Sequence, residues 1–419
     1  MRRRTLLGLG AIGALGLWTA RPRDHGRPHD AYFARLNELL RLEGGGIPQL
    51  VIDLDRLDAN ADLLVSRLGQ RPLRLVTKSL ACGGLLDYLA RRLSCTRFMV
   101  FHQPQLNQLA RLFPNADLLL GKPLPAAAAL AFYQQLPRHL GFEPSRQVTW
   151  LVDSPQRLQE YAELGRALGQ PLQVALEIDI GLARGGFPTP EAMGSALQHF
   201  ANSQSLLQLR GLMGYDAQVA HAPFWVSRAK ALDESNARYQ AFIHAAQASP
   251  LWPQAPLLNG GGSQTYPLHG DSSGPLNEIA VGSALLKPAG FDSDLLKEHQ
   301  PALWIAAPVL KVLDGALPYL EGTQALAQGW NPNRQRAHYL YGGNWQAEPV
   351  SPAGLAYDSL YGRSANQERL IGSRATKLAV DDWVFLRPMQ SEGTLGDFAD
   401  LRLLRRGSLV GRWSPLGLT

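Results

Sequence analysis

The feature that most constrains the fold is a series of eight short apolar segments, each followed by a loop and most separated by an amphipathic helical pattern. The segments lie at 73–78, 97–101, 116–121, 148–153, 172–179, 209–215, 255–260 and 278–286. Such alternation predicts parallel strands, and eight units within about 215 residues match a closed (β/α)8 barrel. An open doubly wound sheet is the alternative, but its GxGxxG motif does not follow the first segment.

The chain of 419 residues is longer than one barrel requires, which indicates a second domain. A strand and a helix are predicted at 48–68, ahead of the barrel. We predict a barrel over 47–300 and a mostly β domain over 302–419, which the early strand joins. A polar insert at 342–372 either covers the opening of the active-site pocket or is a surface loop.

Residues 1–30 are predicted to be a targeting segment and a linker. Three arginines precede an apolar run over 6–18 that is too short for a comfortable membrane span. The arginine pair resembles a twin-arginine export signal, which predicts a periplasmic protein. Because the cleavage site is poor, an uncleaved inner-membrane anchor is an alternative, and a cytosolic protein is a third possibility.

Charge and cysteine content exclude several classes of function. The net charge is +6, but the basic residues are scattered and do not interleave with aromatic residues, so we predict no nucleic-acid binding. We expect membrane contact only through the N-terminal segment. Cys82 and Cys95 lack the spacing of a zinc site or a disulfide framework, although one disulfide between them stays open.

Lys78 is the first candidate functional residue, because it closes the first segment and is followed by small residues. In a parallel barrel the carboxyl ends of the strands form the active-site face. A lysine in a partly dry pocket there becomes a nucleophilic amine that can form a Schiff base. The alternative is a lysine whose stem packs at the strand end while its amine reaches water.

Glycine-rich turns follow the last two segments. Three consecutive glycines come after the seventh segment, and a Gly-Ser pair lies within the eighth. Glycine backbone and serine hydroxyl groups can cradle a phosphate, which barrels commonly bind at this position. The predicted phosphate-binding residues are Gly261, Gly262, Ser263, Gly282 and Ser283. A merely flexible turn is the alternative.

Polar residues also follow the fifth and sixth segments. Glu177 and Asp179 alternate on one strand face, and Arg184 lies in a glycine-flanked loop where it can bind an anionic oxygen. Tyr215 and His221 follow the sixth segment at the same rim, where a histidine can act as acid or base. A surface arginine and a merely hydrogen-bonded histidine are the alternatives.

The order of these motifs resembles that of fold-type III pyridoxal-phosphate enzymes, in the D-threonine aldolase and D-serine dehydratase branch related to alanine racemase. The matching runs are IPQLVIDLDRLDAN, RLVTK, EIDIGLARGGF, GLMGYDAQVAH, NGGGSQTY and NEIAVGSALL. The resemblance implies that Lys78 forms a Schiff base with pyridoxal phosphate and, once freed, acts as the general base. It places Arg184 at the phenolic oxygen of the cofactor and Tyr215 near its ring, with the glycine and serine residues at its phosphate.

The chain departs from this family in its tail. The family holds a metal near the cofactor with a C-terminal histidine and a nearby Cys or Asp, whereas no His or Cys follows His338 here. We therefore predict no metal site. Glu392, Asp397 and Tyr266 are unranked candidates for the role of the metal.

Three hypotheses follow. The first is a pyridoxal-phosphate lyase acting on a β-hydroxy D-amino acid by aldol cleavage or deamination. The second is a racemase, with Tyr215, His221 or Tyr361 as the base opposite Lys78. The third is a non-catalytic exported barrel protein. The fold type also implies a homodimer with a small-molecule amino-acid substrate.

Overall fold

The structure is a computed structural model that describes residues 21–137, 140–201, 206–270, 274–315, 328–360 and 362–416. The predicted export signal at 1–20 and Tyr361 lie outside the described residues. No helix within these ranges is both long and apolar enough to span a membrane.

The chain forms two compact units that each contain several segments. The barrel unit comprises the described residues of Asp53–Ala302, Gln390–Leu401 and 412–416. The sheet unit comprises the described residues of 21–52, Leu303–Met389 and Arg402–Gly411. The tail is thus divided between the units, whereas the sequence predicted one uninterrupted domain from residue 302.

The described chain begins with helix α1 (Ala31–Glu43), strand β1 (Gln49–Asp53) and helix α2 (Leu54–Leu68). The side chain of Asp53 caps α2 by accepting hydrogen bonds from the backbone N–H groups of Asp55 and Arg56, at 3.0 and 3.1 Å. Such a cap satisfies N–H groups that have no partner within the helix, and it explains why the helix begins directly after the strand.

Eight parallel strands then close into a barrel in the order of the sequence, β2 to β9. They are β2 (Leu73–Val76), β3 (Arg97–Val100), β4 (Asp117–Leu120), β5 (Val148–Val152), β6 (Leu172–Glu177), β7 (Leu207–Met213), β8 (Leu257–Gly260) and β9 (Glu278–Val281). Each lies within or overlaps one of the eight predicted segments, and the predicted (β/α)8 fold is confirmed. Continuous apolar runs suit these strands because both faces of a parallel barrel are covered.

Helices follow most of the barrel strands. They are α3 (Gly83–Arg92), α4 (Gln103–Leu112), α5 (Ala126–Gln135), α6 (Pro144–Gln147), α7 (Pro155–Leu168), α8 (Pro190–Ala201), α9 (Ala217–Ala220), α10 (Arg228–Gln247) and α11 (Ser283–Leu286). Ser154 and Ser227 cap α7 and α10 through their side chains. Cys82 and Cys95 are both buried free thiols, so the structure does not contain the disulfide that the sequence left open.

A buried charge network lies among the barrel strands. Arg74 on β2 is 1% exposed and contacts both carboxylate oxygens of Glu278, at 2.5 and 3.0 Å. It also contacts the Asp117 carboxylate at 2.9 Å. Buried charges are tolerated only when they are paired in this way, so the network accounts for an arginine inside the barrel.

The sheet unit contains a sheet in which β1 lies between β10 and β16 and to which the remaining described strands of the tail also belong. The tail strands are β10 (Leu303–Asp314), β11 (Arg336–Tyr341), β12 (Ala347–Ser351), β13 (Ala356–Tyr357), β14 (Gln367–Gly372), β15 (Trp383–Pro388), β16 (Leu401–Arg405) and β17 (Ser408–Trp413). Strand β1 pairs with β10, with Val51 opposite Trp304. The core includes Phe33 of α1, Trp304 and Trp383.

The predicted insert at 342–372 contains regular structure. Strands β12, β13 and β14 lie within it, and β14 pairs with β11 along six residues, from Gln367 to Gly372. Its aromatic and polar residues are therefore strand residues as well as loop residues.

Candidate functional site

The barrel unit contains a cavity of about 420 Å³ at the carboxyl ends of its strands. Its lining includes Lys78 after β2, Tyr215 after β7, the glycine triplet after β8, and Gly282 after β9. Glu392 lines the same cavity and belongs to the tail segment of this unit. Most of the predicted residues thus meet at the carboxyl ends of the barrel strands.

Lys78 lies just beyond the first barrel strand. Strand β2 ends at Val76, and Thr77–Leu80 form a single 3-10 turn that carries the lysine. The Thr77 hydroxyl donates a hydrogen bond to the backbone oxygen of Met99, at 2.9 Å, and fixes the start of this turn. The Lys78 amine lies 4.8 Å from the centre of the Phe101 ring, a cation–π contact.

The Lys78 amine is paired with a carboxylate in the cavity. Its Nζ lies 3.0 Å from Oε1 of Glu392. The Ser79 hydroxyl donates to the same oxygen at 3.2 Å, and the Ser283 hydroxyl donates to Ser79 at 2.9 Å. Both serines are buried, so this chain of hydrogen bonds links the end of β9 to the lysine and fixes Glu392.

The glycine triplet forms a surface that side chains would block. Gly261 has a φ of +68°, which favours glycine. A Cβ atom on Gly262 would lie 2.7 Å from Cε2 of Tyr215, so the Tyr215 ring packs directly on the backbone. The Ser263 hydroxyl accepts a hydrogen bond from the backbone N–H of Gly282, at 3.2 Å, and joins the two predicted phosphate turns.

Arg184 is held beside Tyr215 by a structured loop. The Asp179 carboxylate accepts hydrogen bonds from the backbone of Gly181 and Ala183, at 2.9 and 3.0 Å. The Arg184 guanidinium carbon lies 4.8 Å from the centre of the Tyr215 ring. Burial raises the pKa of Tyr215, so its hydroxyl stays protonated at neutral pH.

Glu177 lines the cavity, as Arg184 does. Burial raises the pKa of its carboxyl, while the charge of Arg184 opposes that shift and the charge of Asp153 adds to it. Glu177 therefore titrates closer to neutral pH than an ordinary glutamate.

A buried polar cluster supports the glycine turn. Asp216 accepts a hydrogen bond from the Thr265 hydroxyl at 2.7 Å and lies 2.6 Å from Nε2 of His269. All three residues are at most 2% exposed. This cluster ties the segment after β7 to the segment after β8.

The remaining predicted candidates lie elsewhere. His221 follows the short helix α9, is exposed and does not line the cavity, because that helix carries it away from the rim. Tyr266 is buried, and its hydroxyl lies 2.6 Å from Nε2 of His299. Asp397 is exposed and is not a cavity residue. Of the three candidates for the role of the metal, Glu392 alone lines the cavity.

Two charged cavity residues were not singled out from the sequence. Lys122 follows β4 and Asp153 follows β5, and both line the cavity. Each comes within two residues of a barrel strand end, as Lys78 does. A charged residue directly after a predicted barrel strand is the signal that would have found them.

A family model described as alanine racemase, N-terminal domain, matches residues 52–289, more than half of the chain. The chain belongs to this family. Its members are fold-type III pyridoxal-phosphate enzymes, and the resemblance predicted from the motifs is confirmed.

Comparisons with individual proteins agree with this assignment. A 3-hydroxy-D-aspartate aldolase from Paracoccus denitrificans is 28% identical over 144 residues, which cover 34% of this chain and 36% of the relative. The chain thus spans little more than a third of the length of that curated relative.

Two solved structures share the fold. The D-threonine aldolase from Filomicrobium marinum has a TM-score of 0.63 at 17% identity and covers 88% of this chain and 97% of its own. The D-threo-3-hydroxyaspartate dehydratase from Delftia sp. HT23 has a TM-score of 0.64 at 18% identity, with the same coverage.

Pyridoxal phosphate is the cofactor expected for this family, and the cavity residues fit it. Lys78 supplies an amine, Ser263 and Ser283 supply hydroxyls beside the glycine turns, and the backbone at Gly262 leaves no room for a side chain against Tyr215. Within the described part of the chain, no group of three or more His, Cys, Asp or Glu residues is arranged to hold a metal ion. The predicted absence of a metal stays a prediction.

Proposed function

We propose that the protein is a pyridoxal-phosphate-dependent lyase that acts on a β-hydroxy D-amino acid, by aldol cleavage or by deamination. The observation that carries this proposal is the carboxylate of Glu392 placed 3.0 Å from the Lys78 amine in the cavity. A lyase of this kind needs one group that transfers the proton at Cα and another that transfers a proton at the β-hydroxyl. We assign these two roles to Lys78 and Glu392. The similarity to an aldolase and a dehydratase supports the substrate class.

Pyridoxal phosphate, when bound, withdraws electron density from the bond that breaks at the substrate Cα. In aldol cleavage, the β-hydroxyl loses its proton, the Cα–Cβ bond breaks, and an aldehyde leaves. The Glu392 carboxylate accepts the hydroxyl proton, and Lys78 delivers a proton to Cα. The products are then glycine and an aldehyde.

Deamination uses the same two residues in the opposite protonation states. The Lys78 amine removes the Cα proton, and Glu392 in its protonated form donates a proton to the β-hydroxyl, which leaves as water. Hydrolysis of the remaining unsaturated product gives an oxo acid and ammonia.

The position of Glu392 supports its part in either reaction. Ser79 donates to its Oε1, and Ser283 donates to Ser79, so the carboxylate is oriented within the cavity. The resembled family holds its metal with a C-terminal histidine and a nearby Cys or Asp, and no His or Cys follows His338 in this chain. The proposal therefore assigns to Glu392 the polarisation of the β-hydroxyl.

A racemase is the second candidate, because the family model is that of alanine racemase. A racemase needs a proton donor on the face of the substrate opposite Lys78. Tyr215 is the candidate, since it lines the cavity and burial keeps its hydroxyl protonated. The exposed His221 is not assigned this role.

The experiment is to purify the protein with pyridoxal phosphate and add β-hydroxy D-amino acids. A visible absorption band that shifts on addition of the substrate supports an enzyme, whereas no band supports the non-catalytic alternative. Product analysis then separates glycine plus aldehyde, oxo acid plus ammonia, and the enantiomer. The enantiomer as the sole product would refute the lyase and support the racemase.

A further inference from the structure

Lys122 is a cation on the cavity wall that the proposed reaction does not use. It follows β4, which ends at Leu120, and its neighbour Pro123 also lines the cavity. Its side chain is exposed, and no carboxylate of the described residues forms an ion pair with its amine. The other two cavity cations have neighbours, since Lys78 pairs with Glu392 and Arg184 lies over Tyr215.

The topology of the barrel places Lys122 opposite the glycine triplet. The closed order runs from β2 to β9, so β4 lies four strands from β8 in either direction around the barrel. Gly261 and Gly262 follow β8, and Lys122 follows β4. Lys122 therefore lines the cavity across the barrel from the glycine triplet, where the cofactor phosphate would be held.

The pKa of His102 shows which charged residues lie close enough to Lys122 to act on the same imidazole. The pKa of His102 is lowered by partial burial and then by the charge of Lys122; Glu392 opposes this shift and Lys78 adds to it. Two lysines and one carboxylate thus act on the same imidazole. Lys122 is thus a cation whose charge reaches this part of the barrel unit, where a carboxylate of the substrate would interact with it favourably.

The distance between Lys122 and the reacting carbon suits a group at the end of the substrate side chain. The substrate amino group must lie at the cofactor near Lys78, two strands from Lys122, which is about 10 Å at the strand spacing of parallel sheets. The α-carboxylate is held close to that nitrogen, whereas a side-chain carboxylate extends away from it. The wall next to Lys122 also includes Met99 and Phe101, which suit the carbon atoms between two carboxylates.

We propose that Lys122 binds a second carboxylate, carried on the side chain of the substrate, and that the protein therefore prefers acidic D-amino acids. This inference rests on the proposed function, because it assumes that the amino acid binds at the cofactor near Lys78. Lys122 is then a residue that determines specificity and takes no part in proton transfer.

The test compares D-aspartate with D-alanine as unreactive ligands, with binding measured from the shift of the visible band in the cofactor-loaded protein. Lys122→Met keeps the length of the side chain and removes its charge. We expect it to weaken D-aspartate binding roughly tenfold, the effect of one charged hydrogen bond at a partly exposed site, and D-alanine binding less than about twofold. Lys122→Arg should retain the preference.

The matched control is Lys230→Met on α10, an exposed lysine 3.8 Å from Glu234, which should leave both affinities unchanged. Equal losses for both ligands in Lys122→Met would overturn the proposal, because they would place the α-carboxylate on Lys122. Unchanged binding of D-aspartate would overturn it as well. A wild-type protein without a visible band refutes the proposed function and this inference together, whereas a band with equal losses refutes only the role of Lys122.

Discussion

Replacing Glu392 with glutamine removes the carboxylate charge and keeps the shape of the side chain. The side chains of Lys78 and Glu392 are 38% and 35% exposed, so their ion pair, 3.0 Å long, is screened by solvent. Such a pair contributes less than about 1 kcal/mol to the free energy of unfolding. A group that transfers a proton in the transition state contributes roughly 10²- to 10⁴-fold to the rate. Glu392→Gln should therefore lower the reaction rate strongly while it changes the free energy of unfolding only slightly.

We expect Glu392→Gln to lower kcat for a β-hydroxy D-amino acid at least about 100-fold, with a small change in KM. The assay is product formation under saturating pyridoxal phosphate, with urea unfolding of the same variant. Glu298→Gln is the matched control, since Glu298 pairs with Arg67 at 2.6 Å outside the cavity. An unchanged kcat in Glu392→Gln would refute the proton-transfer role, and a parallel loss of folding would indicate a structural role instead.

Two further predictions concern the cofactor turn and the response to pH. Gly262→Ala adds a Cβ atom that would lie 2.7 Å from Tyr215, so we expect cofactor affinity to fall at least about tenfold in a spectroscopic titration. Gly194→Ala is the control, because its Cβ atom would have no neighbour closer than 4.0 Å. Equal cofactor affinities in the two variants would contradict the prediction. Burial lowers the pKa of His338 from 6.5 to about 4. The folded protein therefore keeps this imidazole neutral at a pH where the unfolded chain protonates it. The free energy of unfolding is accordingly highest above pH 6.5 and falls as the pH is lowered toward 4. His338→Leu should reduce the loss of unfolding free energy between pH 7 and 4.5 by on the order of 2 kcal/mol, and equal losses in variant and wild type would refute this.

The barrel was predictable because its strands are local features of the sequence. Each strand is a short apolar run followed by a loop, and the parallel order follows from the helices between them. The positions of Lys78 and the glycine triplet followed directly, since the carboxyl end of every strand must lie on the same face. Only the exact strand ends differ, as at β2, which ends at Val76 rather than at Lys78.

The role of the tail was not predictable from local pattern. Residues Gln390–Leu401 belong to the barrel unit although the sequence predicted them in the β domain. Their place depends on tertiary contacts such as the one between Glu392 and Ser79, which are 313 positions apart. The sequence named Glu392 as one of three candidates, and only the fold distinguishes it from Asp397 and Tyr266.

His221 shows a second limit of sequence reasoning. It lies eight residues after the end of β7, close enough to suggest the rim of the barrel. The intervening helix α9 and the turn that follows it leave His221 exposed, while His269, much further along the chain, pairs with Asp216 under the glycine turn. Side-chain direction after a strand end depends on loop conformation, which a single sequence does not specify.

Borohydride reduction followed by peptide mapping shows whether the Lys78 amine holds pyridoxal phosphate in the barrel cavity. We expect one reduced pyridoxyl label, on the peptide that contains Lys78, and its loss in Lys78→Ala but not in Lys230→Ala. A label on another lysine, or no label on a folded protein supplied with the cofactor, would refute the role proposed for Lys78.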